Sequence, residues 1–232
     1  MKILITGANG LVGRACQLYA KINRLNISII SRRNPLFSDI KNYKSLKELP
    51  QKDRNFDLVI HCSAATPNNC EFEEIFNTNK KIDEELSDFV LNSSVKQVVY
   101  LSTMAVYGEI NVKKLSERTK IINPNLYGQS KYIGENRIKQ TCEKKNIKLA
   151  IIRLPGVVGK DMPYIFFRRV YESILNSRKI SIRSRHALFN NAILDKDIFF
   201  TSIYLYEKQK DNFILLNHHS ENIITLGKLL DD

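Results

Sequence analysis

The chain has 232 residues, enough for one domain around one sizeable core, and at 43% hydrophobic and 26% charged it is neither disordered nor fibrous in composition. Lysine and arginine outnumber the acids 36 to 24, a formal charge of +12, but they are spread along the chain without an aromatic-interleaved stripe, so they read as a solvated basic surface with no nucleic-acid partner. No apolar run approaches the roughly 20 residues that span a bilayer, no apolar leader precedes the first strand, and Cys16, Cys62, Cys70 and Cys142 show neither metal-ligand nor pairing pattern; a cytoplasmic protein with reduced thiols and no metal is expected.

Strand and helix patterns alternate from the N-terminus. Ile3-Leu4-Ile5 is a short strand ending at a glycine turn, Leu11 to Ile22 a helix, Ile27 to Ile30 a second strand and Leu58-Val59-Ile60 a third clear one. Residues 32–56 carry the weakest pattern, so a strand and crossover there must be short. Phe72, Ile75, Phe76, Ile82, Leu86, Phe89 and Val90 lie on the stripe of a long amphipathic helix reaching Asn92. Gln97 to Leu101 is a strand, Tyr127 to Lys145 a helix and Leu149 to Ile152 a strand. Continuous apolar strands separated by helices predict an α/β fold, a doubly wound Rossmann-type parallel sheet covered on both faces.

After Pro155 the pattern changes. A helix is predicted over Pro163 to Asn176, short strands at Ile180 to Ile182 and Phe189 to Leu194, a helix over Asp195 to Glu207, a strand at Phe213 to Leu216 and a helix from Thr225, which would cap it, to Leu230. No repeat or flexible linker separates the halves. The expected division is a dinucleotide-binding domain at 1–155 and a small α/β substrate lobe at 156–232, interleaved with the first.

Gly7, Gly10 and Gly13 follow a strand and open a helix. Glycines there permit a tight turn and bring backbone N–H groups onto a pyrophosphate. Tyr127 and Lys131 stand four apart on one helix face. A phenol beside an ammonium is a plausible acid/base unit, because the cation favours the phenolate and lowers its pKa. At the end of the second strand, where an acid about 20 residues past the glycines would hold the ribose of NAD, Ser31-Arg32-Arg33 stand instead. Guanidinium groups bind a 2′-phosphate, so NADP is expected and NAD is the alternative, with one arginine solvated and the other stacked on adenine.

The spacing Gly-x-x-Gly-x-x-Gly within Thr6 to Gly13, with His61-Cys62-Ser63-Ala64-Ala65, Asn79, Ser102 to Gly108, Tyr127 to Lys131 and Arg153 to Gly159, resembles the extended short-chain dehydrogenase/reductase family, in its NAD-dependent epimerase/dehydratase, nucleotide-sugar group. The resemblance covers nearly the whole chain. It implies that Tyr127 gives or takes the proton, that Lys131 lowers its pKa and holds the nicotinamide ribose, and that Thr103, in preference to Ser102, hydrogen-bonds the substrate oxygen. It further implies a cofactor site built from Gly7, Asn9, Gly10, Leu11, Val12, Gly13, Ser31, Arg32, Arg33, Cys62, Ser63, Ala64 and Ala65. Asn79 would steady the loop backbone, and Leu154 and Pro155 would flank the nicotinamide. His61 reads as a core histidine and His218-His219 as surface. Arg168, Arg169, Arg178, Arg183 and Arg185 are candidates for a nucleotide-sugar diphosphate. Asn191 and Asp195 to Asp197 match the segment near the substrate cleft, although Asp195 equally suits a helix N-cap.

The chain departs from the pattern at three places. No adenine-binding Asp is found in residues 39–50. Met104 and Ala105 stand where dehydratases carry an acid, which argues against dehydration. The C-terminal lobe is short, leaving open a chain cut before its end, a shallow substrate site or one completed by a partner chain. The expectation is an NADP-dependent oxidoreductase that reduces a nucleotide-linked keto-sugar in polysaccharide biosynthesis. An NAD-dependent nucleotide-sugar epimerase is the alternative, and a non-catalytic NADP-binding sensor or scaffold a further one. A homodimer would form through the long helix and the Tyr127 helix, with Phe72, Phe76 and Phe89 at the interface.

Overall fold

Ile3 and Ile5 point to one side of the first strand and Leu4 to the other, and each side meets a different core. That alternation runs through a sheet buried on both faces. The computed structural model describes residues 1–67, 71–160, 162, 166–182, 184–189, 191–221 and 223–231. Cys70, Arg183 and the expected helix start at Pro163 lie outside them.

In chain order the elements are β1 (Lys2–Thr6), α1 (Leu11–Ile22), β2 (Asn26–Ile30), β3 (Lys41–Tyr43), β4 (Asn55–His61), α2 (Phe72–Leu91), β5 (Ser94–Thr103), α3 (Leu126–Lys145) and β6 (Lys148–Leu154). There follow β7 (Gly156–Val158), α4 (Phe166–Leu175), β8 (Leu188–Phe189), β9 (Ala192–Leu194), α5 (Asp195–Lys208), β10 (Phe213–Asn217), β11 (Ile224–Thr225) and α6 (Leu226–Asp231). The main sheet has seven strands in the order β10-β6-β5-β4-β1-β2-β3, all parallel. The chain winds outward from β1 to β3, then resumes at β4 on the other side. The reversal between β1 and β4 leaves a crevice at the carboxyl ends of those strands, where such sheets bind ligands.

One core lies under α1 and α5: Ile3, Ile5, Cys16, Ala20, Ile60, Ile152, Ile198 and Phe199. The other lies under α2 and α3: Leu4, Val59, Leu86, Phe89, Val98, Tyr100 and Ile138. Phe89 packs on Phe56 with centroids 6.3 Å apart and is 3% exposed. It is a core residue, which removes it from the expected dimer interface. Phe76 on the same helix is half-buried, and Tyr132 and Ile133 on α3 are exposed.

Residues after 155 return to the first domain. Helix α5 packs on α1, Tyr19 meeting Phe200 at 5.4 Å, and β10 adds to the sheet edge beside β6. Between them, the buried Gln209 accepts from Gln97 and donates to Leu149 O. The small pairs β7–β9 and β8–β11 lie outside this sheet. Thr225 Oγ1 accepts from Lys228 N at 3.2 Å at the start of α6.

Two expectations are corrected. Ile180 to Ile182 form no strand: apolar alternation needs a neighbouring ladder, and among the described residues none pairs with them. At α5 the cap position belongs to Leu194; Asp195 is the first helical residue, its Oδ1 accepting from Lys196 N at 2.7 Å.

Candidate active site

The ends of five strands (β1, β2, β4, β5 and β6) and the starts of two helices (α1 and α3) meet at the crevice. Gly7 leaves β1 with φ +61°, and a Cβ there would lie 2.6 Å from Ser63 N and 2.7 Å from Cys62 O. The loop after β4 therefore runs against the glycine turn, and only glycine allows both backbones so close. Gly10 caps α1, whose first turn carries no acid, and Leu11, Val12 and the buried Gly13 follow. The exposed N-terminal N–H groups of such a helix suit an anion.

Sequence reasoning missed Gln17. Buried on α1, it donates to Ala8 O at 2.6 Å and accepts from Leu36 N at 2.9 Å, fixing the glycine turn to the loop after β2. In that loop Ser31 is buried and accepts from Asn9 Nδ2 and from Arg33 N. Arg32 and Arg33 are exposed, and among the described residues no carboxylate engages either guanidinium. After β3 come Lys44 and Ser45, so the position expected to hold an adenine-binding Asp has no acid.

Asn79 joins two walls of the crevice. Its Oδ1 accepts from Ala65 N at 2.7 Å, and its Nδ2 donates to Ala65 O at 3.1 Å and to Ser130 Oγ at 3.0 Å. The loop of Cys62, Ser63, Ala64 and Ala65 is thus tied to α3. Cys62 also lies beside Cys16; that neighbouring thiol and burial push Cys16 well above the ordinary thiol range. The two meet although nothing in their spacing announces it.

Strands β5 and β6 place Thr103 opposite Leu154 and Ser102 opposite Arg153, with Pro155 next. The adjacent hydroxyls diverge. Ser102 is buried and donates to Glu135 Oε1 at 2.5 Å. Thr103 accepts from Ala105 N at 3.2 Å, and its hydroxyl stands near enough to the Tyr127 phenol to pull that pKa down. Asn125 starts α3, its Oδ1 accepting from Gly128 N at 2.8 Å, which sets Tyr127 in the first turn.

Burial raises the Tyr127 phenol above its ordinary pKa, and the Thr103 hydroxyl partly offsets this. Lys131, expected to lower that pKa, has its ammonium 4.0 Å over the ring of Tyr100. Burial lowers Lys131 itself, against the opposing pull of Asp83, Glu135 and Cys62.

Below the crevice runs a buried polar seam that was not foreseen. Arg153 donates to Glu135 at 2.9 and 2.6 Å and stacks over Tyr107 at 4.7 Å. Burial works against the guanidinium charge, but Glu135 outweighs it and raises the Arg153 pKa. His61 bonds Thr6 Oγ1 at 2.9 Å, stacks on Tyr100 and stands 3.6 Å from Asp83; burial lowers its pKa. A charge inside the apolar run of β6, and acids four residues beyond Asn79 and Lys131, were the available signals.

The lobe arginines are less concentrated. Arg168 is held by Glu172 and Met162 O, Arg169 stacks on Phe166, and Arg185 is paired with Asp231. His218, expected on the surface, is half-buried with Nε2 2.9 Å from Thr201 Oγ1.

The residues present fit a dinucleotide: a glycine cradle that a side chain would fill, a helix N-terminus, and a hydroxyl and two free guanidinium groups at the end of β2. Among the described residues no helix is long and apolar enough to cross a membrane.

The chain is 25% identical over its full length to a UDP-2-acetamido-2,6-beta-L-arabino-hexul-4-ose reductase of Pseudomonas aeruginosa, covering 56% of it. It is 23% identical over 68% of its length to a probable UDP-arabinose 4-epimerase 3 of Arabidopsis thaliana, covering 44%. It thus spans about half the length of these curated relatives. Among solved structures, UDP-N-acetylglucosamine 4-epimerase from Methanobrevibacter ruminantium matches 99% of this chain and 80% of its own with a TM-score of 0.81 at 22% identity. UDP-glucuronic acid 4-epimerase from Bacillus cereus in complex with NAD matches 100% and 81%, TM-score 0.81, at 21% identity, so the two share this fold. Residues 3–187 match the profile of the NAD dependent epimerase/dehydratase family, and the chain belongs to that family.

Proposed function

We propose that the protein is an NADP-dependent reductase of a nucleotide-linked keto-sugar. The observation that carries the reading is the hydroxyl pair Thr103–Tyr127 at the mouth of the crevice, with Lys131 buried one helical turn along α3. The bound nicotinamide would supply hydride to the substrate carbonyl carbon. Thr103 would hold the carbonyl oxygen, and Tyr127 would donate the proton that the oxygen needs as its charge develops. Because burial raises the Tyr127 phenol, it stays a protonated donor to higher pH than a solvated tyrosine.

Arg32 and Arg33 would bind the 2′-phosphate, and Asn9, Ser31 and Gln17 would hold the loop that carries them. The reductase from Pseudomonas aeruginosa supports net reduction, and a role in cell-surface polysaccharide synthesis belongs to the same proposal. A cytoplasmic setting and a homodimer through α2 and α3, using Phe76, Tyr132 and Ile133, complete it; light scattering that gives a monomer at micromolar concentration removes the dimer. A second reading, nucleotide-sugar epimerase, is favoured by the UDP-arabinose 4-epimerase relatives.

The test is titration with NADPH and NADH side by side, then a screen of nucleotide 4-keto-sugars. NADPH should bind more tightly, and Arg32→Ala/Arg33→Ala should weaken it by about tenfold or more per lost charged contact while sparing NADH. Preference for NADH, or cofactor retained through purification, supports the epimerase. Turnover that survives Tyr127→Phe overturns both.

A further inference from the structure

Lys131 is a cation in an unusual setting. It is 1% exposed, and among the described residues no carboxylate pairs with it; its contact is the face of Tyr100, 4.0 Å from Nζ to the ring centroid. On the far edge of that ring, the Tyr100 hydroxyl lies 3.0 Å from both carboxylate oxygens of Asp83, which is 3% exposed. Among the described residues no lysine or arginine forms an ion pair with Asp83. Its nearest basic group, His61 Nε2, is 3.6 Å away, and burial lowers the pKa of that imidazole toward its neutral form. Glu135, the other acid facing Lys131, is already matched by Arg153 and Ser102. An anion and a cation, both buried and without an ion-pair partner among the described residues, therefore meet a single aromatic ring, the cation over its face and the anion at its hydroxyl. A buried charge without a counter-charge is costly, and each supplies what the other lacks.

The packing preserves this arrangement. His61 stacks on Tyr100, centroids 5.4 Å apart and planes within 8°, while its Nδ1 is fixed by Thr6. Gly134, on the same helix as Lys131, leaves the space: a Cβ there would overlap the Asp83 carboxylate and the Tyr100 hydroxyl. A phenol that donates to a carboxylate has a more electron-rich face, and a desolvated ammonium over such a face is held by it.

We infer that Asp83 is a positioning residue for Lys131, seating the ammonium and keeping it charged through the Tyr100 ring. The inference rests on the Tyr127–Lys131 reading above. The groups that face Lys131 are Tyr100 from β5, Asp83 from α2, Glu135 from α3, Cys62 from the loop after β4 and His61 from the end of β4, which burial holds toward its neutral form. Of these, Asp83 carries the charge that nothing else balances. Removing that charge lowers an ammonium pKa that burial has already lowered, so Lys131 loses its proton at lower pH.

The test follows Lys131 directly in the full-length protein, labelled with ε-13C lysine and assigned with Lys131→Arg. Asp83→Asn keeps the shape and the acceptor for the Tyr100 hydroxyl and removes only the charge. The Lys131 titration midpoint should fall by about one pH unit, and the alkaline limit of turnover should fall with it. A midpoint and a pH profile that superimpose on the wild type overturn the inference. Should Asp83→Asn not fold, Asp83→Thr gives a second neutral acceptor with the same expected shift. The titration needs no turnover, so its failure is separate from that of the functional reading, which Tyr127→Phe tests.

Discussion

The seven-stranded sheet and the lobe of small strand pairs solve the problem of charge in opposite ways. Under the sheet, Arg153, Glu135, Asp83 and Lys131 are each at most 4% exposed and arranged so that every charge has a fixed neighbour. In the lobe, Arg168 and Arg185 bond acids at the surface, and α4 buries none of its described residues completely. Buried groups cannot reorganise without loss, whereas surface groups can be exchanged for contacts to a ligand. The seam beneath the crevice is accordingly fixed, while the surface charges of the lobe can be exchanged.

The largest effect should come at the crevice. Tyr127→Phe should cut turnover by about 10²–10⁴-fold with cofactor binding kept, while Arg185→Ala should leave the chemical step intact and raise KM at most; steady-state kinetics with both variants separates the regions. Next comes stability. Arg153→Met strands Glu135 in the core and should cost about 3–5 kcal/mol in urea unfolding, against under about 1 kcal/mol for Arg168→Ala at the surface. A large loss at Arg168 would break the distinction.

The smallest effect is in pH. The folded His61 pKa lies below its ordinary 6.5, so the unfolded chain binds the proton first as pH falls. Stability should be fully present above about pH 6.5 and decline below it toward the folded value. His61→Gln should flatten that part of the thermal unfolding curve. An unchanged slope would mean that another group carries the acid sensitivity.

Much of the crevice could be read from sequence because its parts are contiguous. A glycine turn after an apolar strand, a small-residue loop after another and Tyr127 with Lys131 on one helix each occupy a few residues. The seam beneath could not be read so easily. Asp83, Glu135 and Arg153 come from three elements, and a charged residue on an amphipathic helix is ordinarily solvated. Gln17 was hidden in the same way, as a polar residue that closes two loops from inside. The lobe misled in the opposite sense: Ile180 to Ile182 alternate like a strand, but among the described residues the fold brings no ladder beside them. Local pattern records what a segment could do, and long-range pairing decides whether it does.

Strand β10 has a consequence for synthesis. It covers the free edge of β6, yet it comes 59 residues further along the chain, after β7, α4, β8, β9 and α5 have been made. While a ribosome extends the chain, β6 must wait as an open edge able to pair with another nascent chain. The segment between β6 and β10 thus delays closure of the sheet, and slow translation across it should favour association over correct closure.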